Sequence, residues 1–333
     1  MYFTYSNMLF LSTLITGTLI SISSTSWFSA WVGLELNLLS FIPMMITKNN
    51  QYSSEAALKY FLIQALGSSL IIFSSSFSLV YFNITNIVLF FALILKLGGA
   101  PFHFWLPQIM SGLLWPQIMM IMTIQKVAPL FLISYLMPST HLTLYVFTVS
   151  SLSALIGGVG GINQTHLRKI LAFSSINHMG WLLSALLISE TLMMVYFVFY
   201  CFISLSIIIL LQVKQTFLFN QILNFDMPNE TKLLMFMSLL SLGGLPPFTG
   251  FIPKWIVIQE LSTKGDFLLL LILLGSSLLT LYYYLRISTM FFTISSHKIL
   301  ISTKSKQIPK WFFSYFIYFN FIGILIPIIF LIV

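Results

Sequence analysis

Charge is what this sequence has least of. Its 333 residues include fifteen Lys plus Arg and seven Asp plus Glu, 7% in all, where a soluble domain carries about 25%. A water-facing surface of this size cannot be built from so few charges, which excludes a cytosolic enzyme, a secreted disulfide module and a disordered chain. Cysteine is almost missing: the single one excludes a disulfide framework within the chain and the thiolate sets that hold iron–sulfur clusters. No strand–glycine–helix nucleotide site is present, because the glycines at 157–161 close an apolar run. The net charge of +8 has no soluble basic domain to carry it, so nucleic acid is not an expected partner. What remains is apolar: 58% hydrophobic residues and a mean hydropathy of +0.99. The chain reads as an all-α polytopic membrane protein.

A helical span takes about 20 mostly apolar residues. Eleven segments meet that requirement, at 8–25, 27–46, 56–80, 86–110, 115–137, 141–162, 167–189, 191–213, 231–261, 266–293 and 310–332. Charge placement tests the count. With eleven spans, one face receives Lys48, Lys59, Arg168, Lys169, Lys214, Lys232, Arg286, Lys298, Lys304, Lys306 and Lys310, and the other receives Lys264 alone. Such asymmetry is what the positive-inside rule expects, and it puts the N-terminus on the positive face and the C-terminus opposite. Met1 to Asn7 contains no basic residue, so the first apolar run is not expected to be a removed signal peptide. The long polar loops are 214–230 and 294–309, too short for a separate soluble domain.

Three lysines and a glutamate fall inside the spans. Glu35 stands in Trp31-Val32-Gly33-Leu34-Glu35-Leu36-Asn37; Lys96 and Lys126 lie near the middles of the fourth and fifth spans. At about 1.5 Å per residue both lysines are roughly 15 Å from the nearer helix end, beyond the roughly 6 Å over which a lysine stem can snorkel. Lys254, nearer the end of its span, can be read as a snorkelling residue or as a functional one. An ionisable group at this depth is a functional candidate by default; the competing reading is a static buried ion pair that only holds helices together. His178, mid-span, titrates readily near neutral pH and is a candidate relay. His103, beside Phe102 and Phe104, reads either as a packed neutral imidazole or as a relay.

The backbone beside these charges is interrupted. Leu97-Gly98-Gly99-Ala100-Pro101 follows Lys96, and Leu242-Gly243-Gly244-Leu245-Pro246-Pro247 breaks the ninth span before Pro253 and Lys254. An internal proline has no N–H and clashes with the carbonyl four residues back; Pro101 is expected to free the carbonyl of Leu97, and Pro129 that of Gln125. Freed carbonyls at membrane depth must be satisfied by protein or water, which predicts hydrated cavities beside Lys96 and Lys126. Both breaks read Leu-Gly-Gly-X-Pro, and the five-span offset between them would place the two copies in opposite orientation. That is the signature of inverted repeats, with a transport site at the midplane. The expected organisation is one membrane domain over 1–333, with a first repeat at 27–162, a second at 163–293, and a C-terminal loop and last helix at 294–333.

At these residues the sequence resembles the antiporter-like membrane subunits of respiratory complex I, specifically the chain 2 family of mitochondrial NADH–ubiquinone oxidoreductase. The strings that carry the resemblance include Trp31-Val32-Gly33-Leu34-Glu35, Lys96-Leu97-Gly98-Gly99-Ala100-Pro101-Phe102-His103-Phe104-Trp105 and Gln125-Lys126-Val127-Ala128-Pro129. Others are Gly160-Gly161-Ile162-Asn163-Gln164-Thr165, Ser174-Ser175-Ile176-Asn177-His178-Met179-Gly180-Trp181, and Gly243-Gly244-Leu245-Pro246-Pro247 through Pro253-Lys254-Trp255. They run in the family's order from the second span to the ninth; the last two spans match in pattern only. Ile124 and Asn177 depart from the usual animal form, whose short chain lacks the first three helices of bacterial relatives.

The resemblance implies roles. Glu35 would face Lys96, the lysine of the first broken helix; Lys126 would be the central lysine; Lys254 would end a half-channel, and His178 would join the hydrated axis. Burial disfavours a charged lysine and a nearby carboxylate favours it, so a moving Glu35 would switch proton uptake and release. The implied function is proton translocation driven by NADH:ubiquinone electron transfer in other subunits, with no cofactor, metal or NADH site in this chain. The implied partners are the other membrane-arm subunits and lipids, and the implied location is the mitochondrial inner membrane, N-terminus on the matrix side and C-terminus on the intermembrane-space side. A free-standing cation/proton antiporter of the same fold is the alternative, and a structural scaffold a third.

Overall fold

A computed structural model describes residues 5–47, 50–78, 82–137, 141–219, 221 and 229–293. Among them the chain is helical apart from an isolated antiparallel bridge between His166 and Leu218. We label the helices in chain order: α1 Tyr5–Ser23, α2 Trp27–Met45, α3 Gln51–Phe77, α4 Phe82–Leu97, α5 Trp105–Gly112, α6 Trp115–Met122, α7 Ile124–Leu136, α8 Leu142–Gly160, α9 Leu167–Ile188, α10 Glu190–Lys214, α11 Asn229–Gly243, α12 Phe251–Lys264 and α13 Phe267–Thr293. Among the described residues, eight stretches are long and apolar enough to cross a membrane, with α6 and α7 together forming one of them. The broken pairs α4/α5 and α11/α12 occupy the fourth and ninth expected spans. The expected eleventh span, at 310–332, and the loop lysines at 298–310 lie outside the described residues, as do Lys48 and residues 220 and 222–228 of the 214–230 loop.

Polarity is distributed in the reverse of a soluble protein. Leu9, Phe28, Leu58, Leu62, Leu271 and Leu278 are exposed, while Lys96, Lys126, Lys254, Asn177 and His178 are buried. Apolar side chains outside and hydrogen-bonding groups inside is the arrangement a hydrocarbon solvent selects.

The chain divides into two compact units, one running to Val149 and the other from Ser150. In the first, α1 and α2 approach until a Cβ added at Gly33 would lie 2.6 Å from Ser21 N and 2.7 Å from Gly17 O. Without a hydrophobic drive between helices in lipid, such small-residue contacts are how they pack. α3 lies against α2, α4 and α5, and α7 against α4 and α1. The α2 terminus is fastened by Gln117, whose Nε2 donates to Met44 O at 2.8 Å and Met45 O at 2.9 Å.

In the second unit α9 is the axis: nearly all of its residues from Ile170 to Leu186 are buried, with α10, α12 and α13 packed on it. Its N-terminal end gathers positive charge. Arg286 donates to Ile162 O and Gln164 O at 2.7 and 2.8 Å and sits 5.3 Å over the Phe219 ring, while Arg168 lies 4.6 Å over Phe217. Main-chain bonds from Leu167 N to Phe217 O and Phe219 N to Thr165 O close this end. At the other end Lys264 Nζ donates to Leu187 O at 3.0 Å. Arg168 and Arg286, two of the basic residues that charge counting assigned to one face, therefore lie at one end of the unit, and Lys264 lies at the other. Burial, then the charges of Lys169 and Arg168, hold the His166 imidazole below its ordinary value, because each disfavours the charged form.

Candidate functional site

α4 stops at Leu97 because Gly98 takes a left-handed conformation, φ +73°. Gly99 N donates to Ile94 O at 3.1 Å and Gly98 N to Leu95 O at 3.2 Å, the paired bonds of a Schellman cap. Side chains satisfy the carbonyls beside it: Trp105 Nε1 donates to Leu95 O at 3.1 Å, and Gln64 Nε2 to Lys96 O at 3.2 Å. Protein thus does much of what water was expected to do at this break. Lys96 is 6% exposed, and its stem crosses α3 where Gly67 leaves room: an added Cβ there would stand 3.0 Å from Lys96 Cγ.

Glu35 is half-buried on α2, and its Oε2 is enclosed with no hydrogen-bond partner among the described residues. No ion pair inside 4.0 Å joins it to Lys96. A cavity of about 20 Å³ opens where Lys96 meets Leu34, Asn37, Leu38, Tyr60, Gln64, Gln125 and Pro129. Tyr60 Oη donates to Gln125 Oε1 at 3.2 Å, so the cavity wall reaches the residue that precedes Lys126.

Lys126 is 2% exposed on α7, a helix packed on α4. Here the structure adds a break that the sequence reading did not include. The discontinuity in this span lies at Thr123, φ −115° and ψ −81°, while Pro129 sits inside α7. Thr123 Oγ1 donates to Met119 O at 2.7 Å, sharing that acceptor with its own N–H in a side-chain bond that competes with the helix ladder, and Lys126 N restarts the helix by donating to Thr123 O at 3.1 Å.

The second break repeats the first with a shifted register. At Gly244, φ +79°, Gly244 N donates to Ser241 O at 3.1 Å and Leu245 N to Leu240 O at 3.4 Å. The left-handed residue is therefore the first glycine of one pair and the second of the other. Residues 98–104 and 244–250 form breaks of equal length, and aligning the two left-handed glycines, Gly98 and Gly244, pairs Pro101 with Pro247, Phe102 with Phe248 and Pro107 with Pro253 in sequence. Matching the Leu-Gly-Gly-X-Pro strings is one residue out. Lys254 consequently follows its break where Lys96 precedes its own.

Lys254, 4% exposed, folds back over Gly244 and donates from Nζ to Gly243 O at 2.9 Å. Its ammonium lies 5.8 Å from the Trp181 ring. Trp181 stacks on Tyr196, and Tyr196 Oη is 3.0 Å from His178 Nδ1. The second unit thus brings Lys254, Trp181, Tyr196 and His178 into one buried group. Tyr284 Oη lies near Ser174 and Tyr283 without a hydrogen bond of acceptable geometry. His103, 7% exposed, turns Nδ1 to Pro101 O at 3.2 Å and packs on Phe104.

Asn37, Tyr60, Gln64, Gln125 and Tyr196 were not singled out by sequence, since uncharged polar residues in apolar runs are unremarkable. The available signal was helical spacing, which puts Tyr60 with Gln64 and Tyr196 with Tyr200 one turn apart.

Residues 24–87 and 75–280 match the family described as NADH:quinone oxidoreductase/Mrp antiporter, TM. Among solved structures, a chain of the respiratory complex I from Thermus thermophilus superposes with a TM-score of 0.83 at 22% identity, covering 97% of this chain and 77% of that one. A chain of the Mrp complex from Dietzia sp. DQ12-45-1b superposes at 0.77 with 19% identity, covering 86% of this chain and 60% of that one. These likenesses establish the fold. The NADH-ubiquinone oxidoreductase chain 2 of Anopheles gambiae is 48% identical over 304 residues, 88% of each chain, and on that identity and coverage this chain belongs to the NADH–ubiquinone oxidoreductase chain 2 family.

Proposed function

We propose that this chain is a proton-translocating, antiporter-like membrane subunit of mitochondrial respiratory complex I. The observation that carries the reading is the coincidence of family membership with lysines buried at helix interruptions, Lys96 before the break at 98–104 and Lys126 after the one at Thr123. A buried lysine is held between charged and neutral forms by its neighbours, which is the property a proton carrier needs. In this account Glu35 biases Lys96, Lys96 and Lys126 exchange protonation through the polar groups of α3 and α7, and Lys254 terminates a half-channel with His178 as relay. The two breaks mark inverted repeats at 27–162 and 163–293, supported by the shared cap geometry and the paired prolines. The chain supplies no redox centre, cofactor or NADH site; electron transfer belongs to partner subunits, and its own contacts are with the membrane arm and lipids. It is a multi-pass protein of the mitochondrial inner membrane, N-terminus to the matrix and C-terminus to the intermembrane space.

The Mrp-type likeness keeps one competing reading, a free-standing cation/proton antiporter, but it is a likeness of fold alone. Blue-native electrophoresis of the source membrane separates the two. Migration within a large NADH-oxidising assembly is the expected result, and a small isolated oligomer carrying the chain would overturn the proposal.

A further inference from the structure

Lys254 is buried with no carboxylate within 4.0 Å among the described residues. Its surroundings supply two neutral groups instead. Pro247 has no N–H to offer the carbonyl four residues back, so Gly243 O is released at the break, and Lys254 Nζ donates to it at 2.9 Å. The lysine reaches that carbonyl because Gly244 has no side chain: an added Cβ there would stand 2.9 Å from Nζ. One acceptor does not satisfy an ammonium with three donors. Nζ also lies 5.8 Å over the Trp181 ring, inside the roughly 6 Å at which an aromatic face attracts a cation.

Trp181 is a costly filler if filling is its task. It is wholly buried, and its Nε1 is enclosed without a hydrogen-bond partner among the described residues, where a buried indole ordinarily finds one. Phenylalanine or leucine would occupy the core without stranding a donor. What indole adds is the best cation-attracting face among the aromatic side chains. That face is fixed in place. Trp181 lies parallel to Tyr196 within 9°, with ring centroids 6.4 Å apart. Gly180 beside it brings α9 so close to α8 that an added Cβ would stand 2.8 Å from Ser150 O.

We propose that Trp181 is a positioning residue for Lys254: its ring and the Gly243 carbonyl together stand where a carboxylate would otherwise balance the ammonium. Both partners are neutral, so a proton leaving Lys254 leaves no bare anion behind. The attraction to the ring ends with the charge, and a neutral Lys254 keeps only the weaker hydrogen bond of an amine. The charge of Lys254 thereby sets how firmly its side chain is held at the break. The inference deepens the proton-translocation reading and rests on it. α12 packs on α9, α10 and α13, and the titratable side chains these helices bury are His178, Tyr196, Tyr200, Tyr283 and Tyr284; none is a carboxylate. Glu260 stands six residues further along α12, roughly 9 Å along the axis.

The test uses the assembled complex in sealed membranes and follows redox-linked pumping against pH. Trp181→Phe keeps an aromatic face and Trp181→Leu removes it, while the two replacements differ little in size. Removing a group that favours the charged lysine lets its proton leave at lower pH. Trp181→Leu should therefore slow pumping several-fold and move the alkaline limb of the profile toward acid pH, and Trp181→Phe should restore much of both. A filling role predicts that Phe and Leu behave nearly alike with the limb in place, and that result overturns the proposal. It would leave proton translocation itself standing, which is decided separately at Lys126. If neither variant assembles, a density map of the wild-type complex decides. Lys254 Nζ over the Trp181 ring and bonded to Gly243 O supports the proposal; Lys254 paired with a carboxylate of a neighbouring subunit overturns it.

Discussion

Glycine 244 shows how much one residue without a side chain carries here. Its φ of +79° would cost an L-residue roughly 1–2 kcal/mol, and a Cβ would also press within 2.8–3.1 Å of the Lys254 stem. Gly243 beside it has no atom nearer than 3.6 Å to an added Cβ. Gly244→Ala should therefore reduce the yield of assembled complex and displace Lys254, while Gly243→Ala should be close to neutral. In the first break the order reverses: Gly98→Ala should be the damaging change, because Gly98 has φ +73° and Leu106 Cδ1 would lie 2.8 Å from its Cβ. Quantifying intact complex for the four variants checks the register directly; equal tolerance at Gly98 and Gly99 would contradict it. At this scale the charged residues could be picked out from sequence because a lysine in an apolar run has few bland explanations. Asn37, Tyr60 and Gln125 could not, because their importance lies in what they face across helices and not in what they are.

Among the elements, most spans could be read from apolar length alone. The fourth and ninth were also rightly read as interrupted, since glycine and proline announce a helix stop. What sequence could not supply was which glycine would turn left-handed, because that depends on how each helix end packs, on Trp105 and Leu106 in one case and on Lys254 in the other. Nor did it reveal the break at Thr123, where neither glycine nor proline stands and a single threonine side chain competes with the backbone. Helix ends also carry the topology. The ends of α8 and α10, the start of α9 and Arg286 meet together, and the turn after α12 meets the end of α9. With Cys201 replaced by Ser, Asn163→Cys and Thr263→Cys should therefore react with an impermeant thiol reagent from opposite faces of the membrane. Labelling from the same face would break the span count and the inverted-repeat argument with it.

For the whole molecule, the described residues form two compact units that each bury a lysine against a broken helix. Composition was enough to indicate the membrane, and the paired breaks were enough to suggest repeats; the polar lining between charges needed coordinates. The central claim is that a buried lysine carries protons and does not merely hold helices together. Lys126 tests it best, being 2% exposed and next to the residue that closes the cavity wall. Lys126→Met keeps an apolar stem of similar length and removes the titrating group; Lys126→Arg keeps a positive charge that a guanidinium cannot release at working pH. The decisive measurement is proton pumping per electron pair in sealed membranes containing the assembled variant complexes. The account predicts that both variants retain their subunits and lose redox-linked pumping, with coupled quinone reduction slowing alongside. Normal pumping in an assembled Lys126→Met complex, or rescue by Arg with failed assembly for Met, would contradict it.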